Sequence, residues 1–134
     1  KERLRPALAP GNLSKVLSAP VVFVIGHDLH FYDRLPTLFP HRSVDAPFRA
    51  DAALAERTAF RNGTLQGAYL MIAARALGLD CAPISGFNNA LVDTLFFGDG
   101  HVRSNFICGL GYGDSAAVFP RLPRLTFTEA CTTL

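Results

Sequence analysis

Residues 51–87 read DAALAERTAFRNGTLQGAYLMIAARALGLDCAPISGF, which combines the pattern of a long helix with that of a strand and a tight turn. Asp51 is a favourable helix N-cap, and Gly78 stands where a glycine commonly ends a helix. Between them, apolar residues recur mostly at intervals of three and four, the repeat of an α-helix. Because this helix is apolar on nearly every side, the pattern predicts that it is buried. The residues that carry the repeat are Leu54, Leu65, Ala68, Tyr69, Ile72, Ala76 and Leu79.

Three shorter segments predict β-strands. Residues 21–25 form a continuous run of β-branched and aromatic side chains, which is typical of a buried strand. Residues 81–84 and 104–110 predict two further strands, and residues 88–97 predict a helix between them. Strands separated by helices indicate an α/β or an α+β domain.

The other segments are short or irregular. Residues 1–8 predict a short helix, and Asn12 is expected to cap a helical turn over residues 12–17. Residues 27–50 contain several prolines and predict a loop with a short helix. The tail from Pro120 carries another proline and alternating apolar residues, which predicts extended chain.

The composition indicates one folded domain over residues 1–134. Of these 134 residues, 49% are hydrophobic and 18% are charged, which supplies a core and excludes intrinsic disorder. Thirteen Lys and Arg against eleven Asp and Glu leave a net charge of +2, too mild for a protein whose main partner is nucleic acid or an anionic membrane. No apolar run approaches the roughly 18 residues that a membrane-spanning helix needs.

The cysteines and the first residues bear on the cellular location. Cys81, Cys108 and Cys131 are odd in number and have no CxxC spacing, so they predict neither a disulfide framework nor a zinc site. We expect Cys81 and Cys108 to be small buried hydrophobes in a reducing compartment. The first residues do not lead into the apolar core of a signal peptide. These observations predict a cytoplasmic protein.

Three motifs suggest chemistry that their surroundings do not support. The glycines of residues 109–113 follow a strand, but a dinucleotide fingerprint needs a helix there, and residues 114–123 run into prolines. His27 and His30 lack a third ligand, so they predict loop residues and no metal site. Ser85 lies outside a Gly-x-Ser-x-Gly motif and has no histidine nearby in sequence as a base, so no catalytic side chain is predicted.

Two features are better candidates for a site. Residues 83–86 predict a stiff turn whose backbone groups suit edge-on hydrogen bonding to a flat heterocycle, although local chemistry alone favours an ordinary β–α turn. Arg121 and Arg124 lie in a proline-stiffened segment and suit a phosphate; a pair of solvated charges is the equal alternative. The turn consists of Pro83, Ile84, Ser85 and Gly86.

Several separated segments, in order, resemble the nitroreductase family of flavoproteins. Residues 12–21 read NLSKVLSAPV, residues 60–69 read FRNGTLQGAY and residues 73–87 read AARALGLDCAPISGF. Residues 105–114 read NFICGLGYGD, and residues 119–125 read FPRLPRL. The resemblance covers essentially the whole chain and is greatest to the branch that contains malonic semialdehyde reductase and NAD(P)H nitroreductase relatives.

The resemblance implies an α+β homodimer with a central, mostly antiparallel sheet flanked by helices and with FMN at the subunit interface. It implies that Asn12 and the 83–86 turn contact the flavin ring. It also implies that Arg121 and Arg124 reach the FMN phosphate, although this chain separates the pair by three positions where many relatives have two. The extended tail is expected to cross to the partner and pair with its sheet edge.

The resemblance further implies which parts of the family domain these residues represent. The family's opening helices, with their Arg-Ser-x-Arg type of motif for phosphate and ring, do not occur in residues 1–134. We therefore expect the chain to correspond to the later two thirds of such a domain. The helix over residues 51–77 is expected in the dimer interface, since Gly63, Gly67 and Ala68 leave no bulky ridge there.

The implied activity is that of an FMN-dependent oxidoreductase. Hydride would pass from NADH or NADPH through the flavin N5 atom to a small aldehyde such as malonic semialdehyde. Nitroaromatics and quinones are the alternative acceptors. A flavin-binding homologue without turnover is the alternative from a different class of protein.

Overall fold

The computed structural model describes residues 1–134 as a three-stranded sheet with helices on both faces. The strands are β1 (Val21–Asp28), β2 (Asp80–Ile84) and β3 (Val102–Gly111), in the spatial order β1-β3-β2. Both neighbouring pairs are antiparallel, which confirms the predicted α+β class. Each predicted strand is present and longer than predicted, because pairing with β3 continues through flanking residues that lack a strand pattern.

Six α-helices and three short 3-10 segments accompany the sheet. The helices are α1 (Leu13–Ser18), α2 (Leu35–Leu38), α3 (Ala46–Ala50), α4 (Ala52–Ala76), α5 (Asn89–Phe96) and α6 (Phe127–Ala130). The 3-10 segments are Glu2–Ala7, Pro10–Asn12 and Phe31–Arg34. None of the helices is both long and apolar enough to cross a membrane.

The long helix α4 begins and ends where the sequence predicts. The Asp51 carboxylate accepts a hydrogen bond from the Leu54 amide at 2.9 Å, which caps the first turn. Gly78 follows the last turn with a φ of +80°, a conformation that glycine adopts without steric cost.

One face of α4 packs on the chain's own sheet, and this contradicts the predicted interface role of Gly63 and Gly67. A Cβ added to Gly67 would lie 2.4 Å from Cζ of Phe106, and one added to Gly63 would lie 2.9 Å from Cβ of His27. These glycines therefore serve close packing inside the subunit and cannot face a partner. Four large side chains on the rest of the helix surface are at least half exposed: Phe60, Leu65, Tyr69 and Ile72. The prediction that α4 is buried on all sides is therefore wrong for a single chain.

The main apolar core lies on the other face of the sheet. Ile107 of β3, Val16 of α1 and Val92 of α5 are completely buried there. Burial of an aliphatic side chain of this size contributes about 1.5–3 kcal/mol. The full cluster is Leu4, Ala7, Leu8, Val16, Ile84, Val92 and Ile107.

Strand β1 is an edge strand and is only partly buried, unlike the buried strand that its composition predicts. Val21 remains 50% exposed and Phe23 40% exposed. Pairing with β3 is irregular between Ile25 and Gly26, which leaves Asn105 as an extra residue on β3. In this single chain both outer strands of the sheet have one unpaired edge.

The irregular segments agree with their predictions except in the tail, where residues 127–130 are helical and not extended. Residues 27–50 contain a 3-10 segment and the two short helices α2 and α3. The tail is extended before the single turn of α6, and every residue from 112 to 134 is exposed. Cys108 is buried, which raises the pKa of its thiol, whereas Cys81 is half-buried and Cys131 is exposed.

Candidate functional site

The predicted 83–86 turn lies at the end of β2. Pro83 and Ile84 are the last residues of the strand, and Ser85 and Gly86 follow it. Pro83 and Ser85 are exposed and Gly86 is half-buried. The Ile84 side chain is only 7% exposed because it belongs to the core, so Ile84 can offer a ligand only its backbone.

The exposed part of this turn carries unused hydrogen-bonding groups. The backbone amides of Ser85 and Gly86 donate to no acceptor within the chain, and the Ser85 hydroxyl also has no partner. The Ser85 carbonyl is occupied, since it accepts from the Phe87 amide at 3.0 Å. The turn therefore has two N–H donors and a hydroxyl that are not used within the chain.

Asn12 lies against this turn, so both could contact the same ligand. Its Nδ2 atom donates to the Gly86 carbonyl at 3.0 Å, and the Ala9 amide donates to the same oxygen at 3.0 Å. A Cβ added to Gly86 would lie 2.5 Å from Asn12 Nδ2, so the contact requires a glycine. Asn12 precedes α1, but its side chain makes no capping hydrogen bond, which contradicts the predicted capping role.

The first 3-10 segment and α5 support the turn from both sides. Leu8 and Phe87 form an isolated antiparallel bridge, and the Asn88 amide donates to the Ala7 carbonyl at 2.7 Å. The Asn88 side chain in turn caps α5 by accepting from the Leu91 amide at 3.0 Å. These contacts hold the turn in one conformation without help from a ligand.

The two arginines are not brought to the turn within one chain. Arg121 and Arg124 are exposed, and neither takes part in an ion pair. Arg124 Nη1 donates only to nearby carbonyls of its own segment, those of Leu122 at 2.8 Å and Pro123 at 3.2 Å. Arg121 makes no hydrogen bond. Both guanidinium groups therefore remain available to a ligand or a partner.

Sequence reasoning missed a polar cavity lined by α4, α5 and the adjoining ends of β1 and β3. Its volume is about 600 Å³, and no residue of the 83–86 turn lines it. His27 lies at its wall in β1 rather than in a loop, and its Nδ1 atom is buried without a hydrogen-bond partner. Burial lowers the pKa of His27, and the carboxylates of Glu56 and Asp93 partly oppose that effect. No sequence spacing links these residues, because three separate elements bring them together.

A family model matches most of the chain, up to residue 112, and two curated relatives match almost all of it. The model described as the nitroreductase family matches residues 2–112. A Ralstonia pickettii protein named NADH dehydrogenase/NAD(P)H nitroreductase HadB is 62% identical over 135 residues, which cover 98% of this chain and 69% of that protein. A Cupriavidus pinatubonensis protein with the same enzyme name is 60% identical over 134 residues, covering 98% of this chain and 68% of that protein.

Solved structures with low sequence identity share the fold. A Bacillus subtilis nitroreductase, ydfN, superposes with a TM-score of 0.85 at 19% identity, over 99% of this chain and 72% of its own. An Exiguobacterium sibiricum nitroreductase in complex with FMN gives a TM-score of 0.80 at 21% identity, over 99% of this chain and 70% of its own. These neighbours confirm the predicted fold.

Proposed function

The chain belongs to the nitroreductase family, and on that premise we propose that it is an FMN-dependent oxidoreductase that takes hydride from NADH or NADPH. The names of the two curated relatives and the FMN complex of a structural neighbour support the enzyme class and both cofactors. The observation that carries the proposal is the braced turn at 83–86 with its free N–H donors. When bound, FMN supplies the two-electron hydride chemistry, which no side chain can provide.

The residues of the turn fit the edge of a flavin ring. Such a ring presents acceptor nitrogens and oxygens, and the Ser85 and Gly86 amides are donors without partners. The absence of a Gly86 side chain leaves room for Asn12, whose Nδ2 atom donates to the Gly86 carbonyl and fixes the direction of that peptide. We propose Asn12, Pro83, Ile84, Ser85 and Gly86 as the ring-binding residues, with Ile84 acting through its backbone.

These residues have a positioning role and an electrostatic one. Two backbone donors on a preformed turn orient a planar ligand without any loss of side-chain entropy. If the two amides donate to acceptor atoms of the bound ring, they would favour negative charge on those atoms. We propose no catalytic side chain and no metal for the reaction.

We propose a homodimer in which Arg121 and Arg124 hold the FMN phosphate. Support comes from the tail, where both arginines and several large apolar side chains stand in solvent in the single chain. Exposure of this extent is unusual for a monomer and indicates a contact surface. The apolar surface of α4 and the unpaired strand edges offer places where the tail and helix of a second copy can pack. The exposed apolar residues of the tail are Val118, Phe119, Leu122, Leu125 and Phe127.

For the acceptor we propose a small aldehyde such as malonic semialdehyde, which the resemblance implies. A nitroaromatic compound or a quinone is the second candidate, and the enzyme names of the two close relatives favour it. A flavin-binding homologue without turnover is the third candidate.

An anaerobic titration separates these candidates. Purified full-length protein should be yellow, and NADH or NADPH should bleach its flavin absorbance. Malonic semialdehyde, a nitroaromatic and a quinone, each added to the reduced protein, should restore the absorbance at rates that rank the acceptors. A yellow protein that neither nucleotide bleaches would overturn the enzyme proposal and leave the binding protein.

We also make proposals about the domain, the cellular location and the partners of the protein. We propose that residues 1–134 form one nitroreductase-like domain. The location is the cytoplasm, which is supported by three cysteines that form no disulfide. The partners are a second copy and a small-molecule substrate, without nucleic acid or membrane.

A further inference from the structure

His30 and His101 come from positions 71 residues apart, and their Nδ1 atoms lie 2.6 Å from each other. Their ring centroids are 4.3 Å apart, with a nearly perpendicular angle of 73° between the ring planes. Both residues are exposed, at the end of the sheet where β1 stops and β3 starts. His27, the histidine that sequence spacing pairs with His30, is not part of this contact.

Backbone hydrogen bonds hold both histidines in place. Asp28 Oδ1 accepts from the His30 amide at 2.8 Å, and Asp99 Oδ1 accepts from the His101 amide at 3.0 Å. The Leu29 amide donates to the His101 carbonyl at 2.8 Å, which ties the two segments together. The Asp-x-His sequence thus occurs twice and places two imidazoles face to edge, with a carboxylate near each.

The chemistry of the contact determines what can lie between the two nitrogens. A neutral imidazole has one N–H and one lone pair, so this Nδ1 pair needs exactly one proton between its members to be attractive. If both rings carry their proton on Nε2, two lone pairs face each other and a cation can bind both. Imidazole is a preferred ligand of Zn²⁺, Cu²⁺ and Ni²⁺.

We propose that His30 and His101 form a bidentate site for a divalent transition-metal ion, with water in the remaining coordination positions. At a Zn–N distance of about 2.1 Å and tetrahedral angles, the two nitrogens must be about 3.4 Å apart. Exposed rings can reach that separation by small side-chain rotations. No group of three or more His, Cys, Asp or Glu residues is arranged to hold a metal, so this site has two protein ligands, and Asp28 and Asp99 contribute negative charge nearby. The site is separate from the 83–86 turn and does not depend on the proposed function.

Isothermal titration with ZnCl₂ of the full-length protein, with any polyhistidine tag removed, tests the site. Three variants lose the ligands: His30→Gln, His101→Gln and the double substitution. His41→Gln is the matched control, because His41 is an exposed histidine outside the pair. Since all three positions are exposed, the variants should fold like the wild type.

We expect one equivalent of Zn²⁺ to bind the wild type and the control with the same affinity. Each single substitution should weaken binding at least tenfold, or about 1.4 kcal/mol, and the double substitution should abolish it. Zinc should also raise the thermal unfolding midpoint of the wild type and the control but not of the double variant, because the ion links two segments of the native state. Equal zinc binding by the wild type and the double variant, or no binding by the wild type, would show that the histidines share only a proton and would overturn the proposal.

Discussion

The turn at 83–86 and the arginine pair in the tail are the two parts of the proposed flavin site, and they are built in opposite ways. Two donors hold the Gly86 carbonyl, and neighbouring segments brace the turn from both sides. The tail makes no comparable contacts, and Arg124 bonds only to carbonyls of its own segment. A preformed turn binds without ordering cost, whereas the tail must lose conformational freedom when it binds. The comparison supports the proposal that one chain holds the ring half of the site and that a partner positions the phosphate half.

Removal of the tail gives the largest expected effect. A full-length protein truncated after Asp114 should lose stoichiometric FMN and dissociate to monomers, because the phosphate contacts and the exchanged segment are both gone. The packed part should keep its secondary structure, since residues 112–134 are all exposed. Flavin absorbance per chain, light scattering and circular dichroism measure the three quantities. Full flavin occupancy in the truncated protein would show that the turn suffices.

Replacement of both Arg121 and Arg124 by Ala is the next largest change. We expect FMN affinity to fall by at least tenfold, since a hydrogen bond to a charged group contributes about 1.5–3 kcal/mol. Quenching of FMN fluorescence measures the affinity. Arg42→Ala removes another exposed arginine that has no ion pair and should leave the affinity unchanged. A double variant that binds FMN like the wild type would end the phosphate assignment.

Gly86→Ala tests the braced half of the site. The added Cβ would lie 2.5 Å from Asn12 Nδ2 and should break its hydrogen bond, at a cost of about 0.5–1.5 kcal/mol in the free energy of unfolding. FMN affinity should fall as well, because the direction of the turn's amides changes. Gly98→Ala is the matched control, since nothing lies within 4 Å of its Cβ position.

The Asn12→Ala background sharpens this test. If Asn12 is the group that Gly86→Ala displaces, the two stability losses should not add, because the second substitution finds the contact already gone. If the two losses of unfolding free energy, measured by urea denaturation, add, then Gly86→Ala destabilises the protein by some means other than displacing Asn12.

The smallest expected effect concerns His27, which belongs neither to the 83–86 turn nor to the arginine pair. Burial lowers its pKa below the value of 6.5 that an unburied histidine has, so the folded state binds fewer protons than the unfolded state. The free energy of unfolding should therefore fall as the pH drops below about 6.5, and His27 should have no effect on it above that value. The midpoint of urea unfolding, measured from pH 7.5 to 5, tests this. We expect His27→Gln to make the midpoint less dependent on pH and His41→Gln to leave that dependence unchanged. Parallel profiles in all three proteins would contradict the role of His27.

The sequence predicted best those features that neighbouring residues control. The Asp51 cap and Gly78 set the ends of α4, because capping and left-handed backbone conformation act within one helical turn. Strand β1 was predictable from its run of β-branched and aromatic residues, and the 83–86 turn from its proline and glycine. The resemblance to the nitroreductase family correctly indicated the fold and the class of enzyme.

Features that depend on distant residues were not predictable in this way. The composition of α4 predicted burial all round, but only the tertiary structure distinguishes the glycine face on the sheet from the exposed face of Leu65, Tyr69 and Ile72. Asn12 was expected to cap a helix, yet its side chain is directed to Gly86, 74 residues away. The sequence paired His30 with His27, whereas the fold pairs it with His101.

By itself the sequence predicted the long helix, the approximate positions of the three strands and the family, since these depend on backbone preferences and motifs within a few residues. Only the tertiary structure decided which side chains meet. Antiparallel pairing of β1 and β2 on either side of β3 sets the register that places these contacts. A shift of that register by one residue would turn the opposite face of each strand towards the core, so no local pattern can specify such contacts.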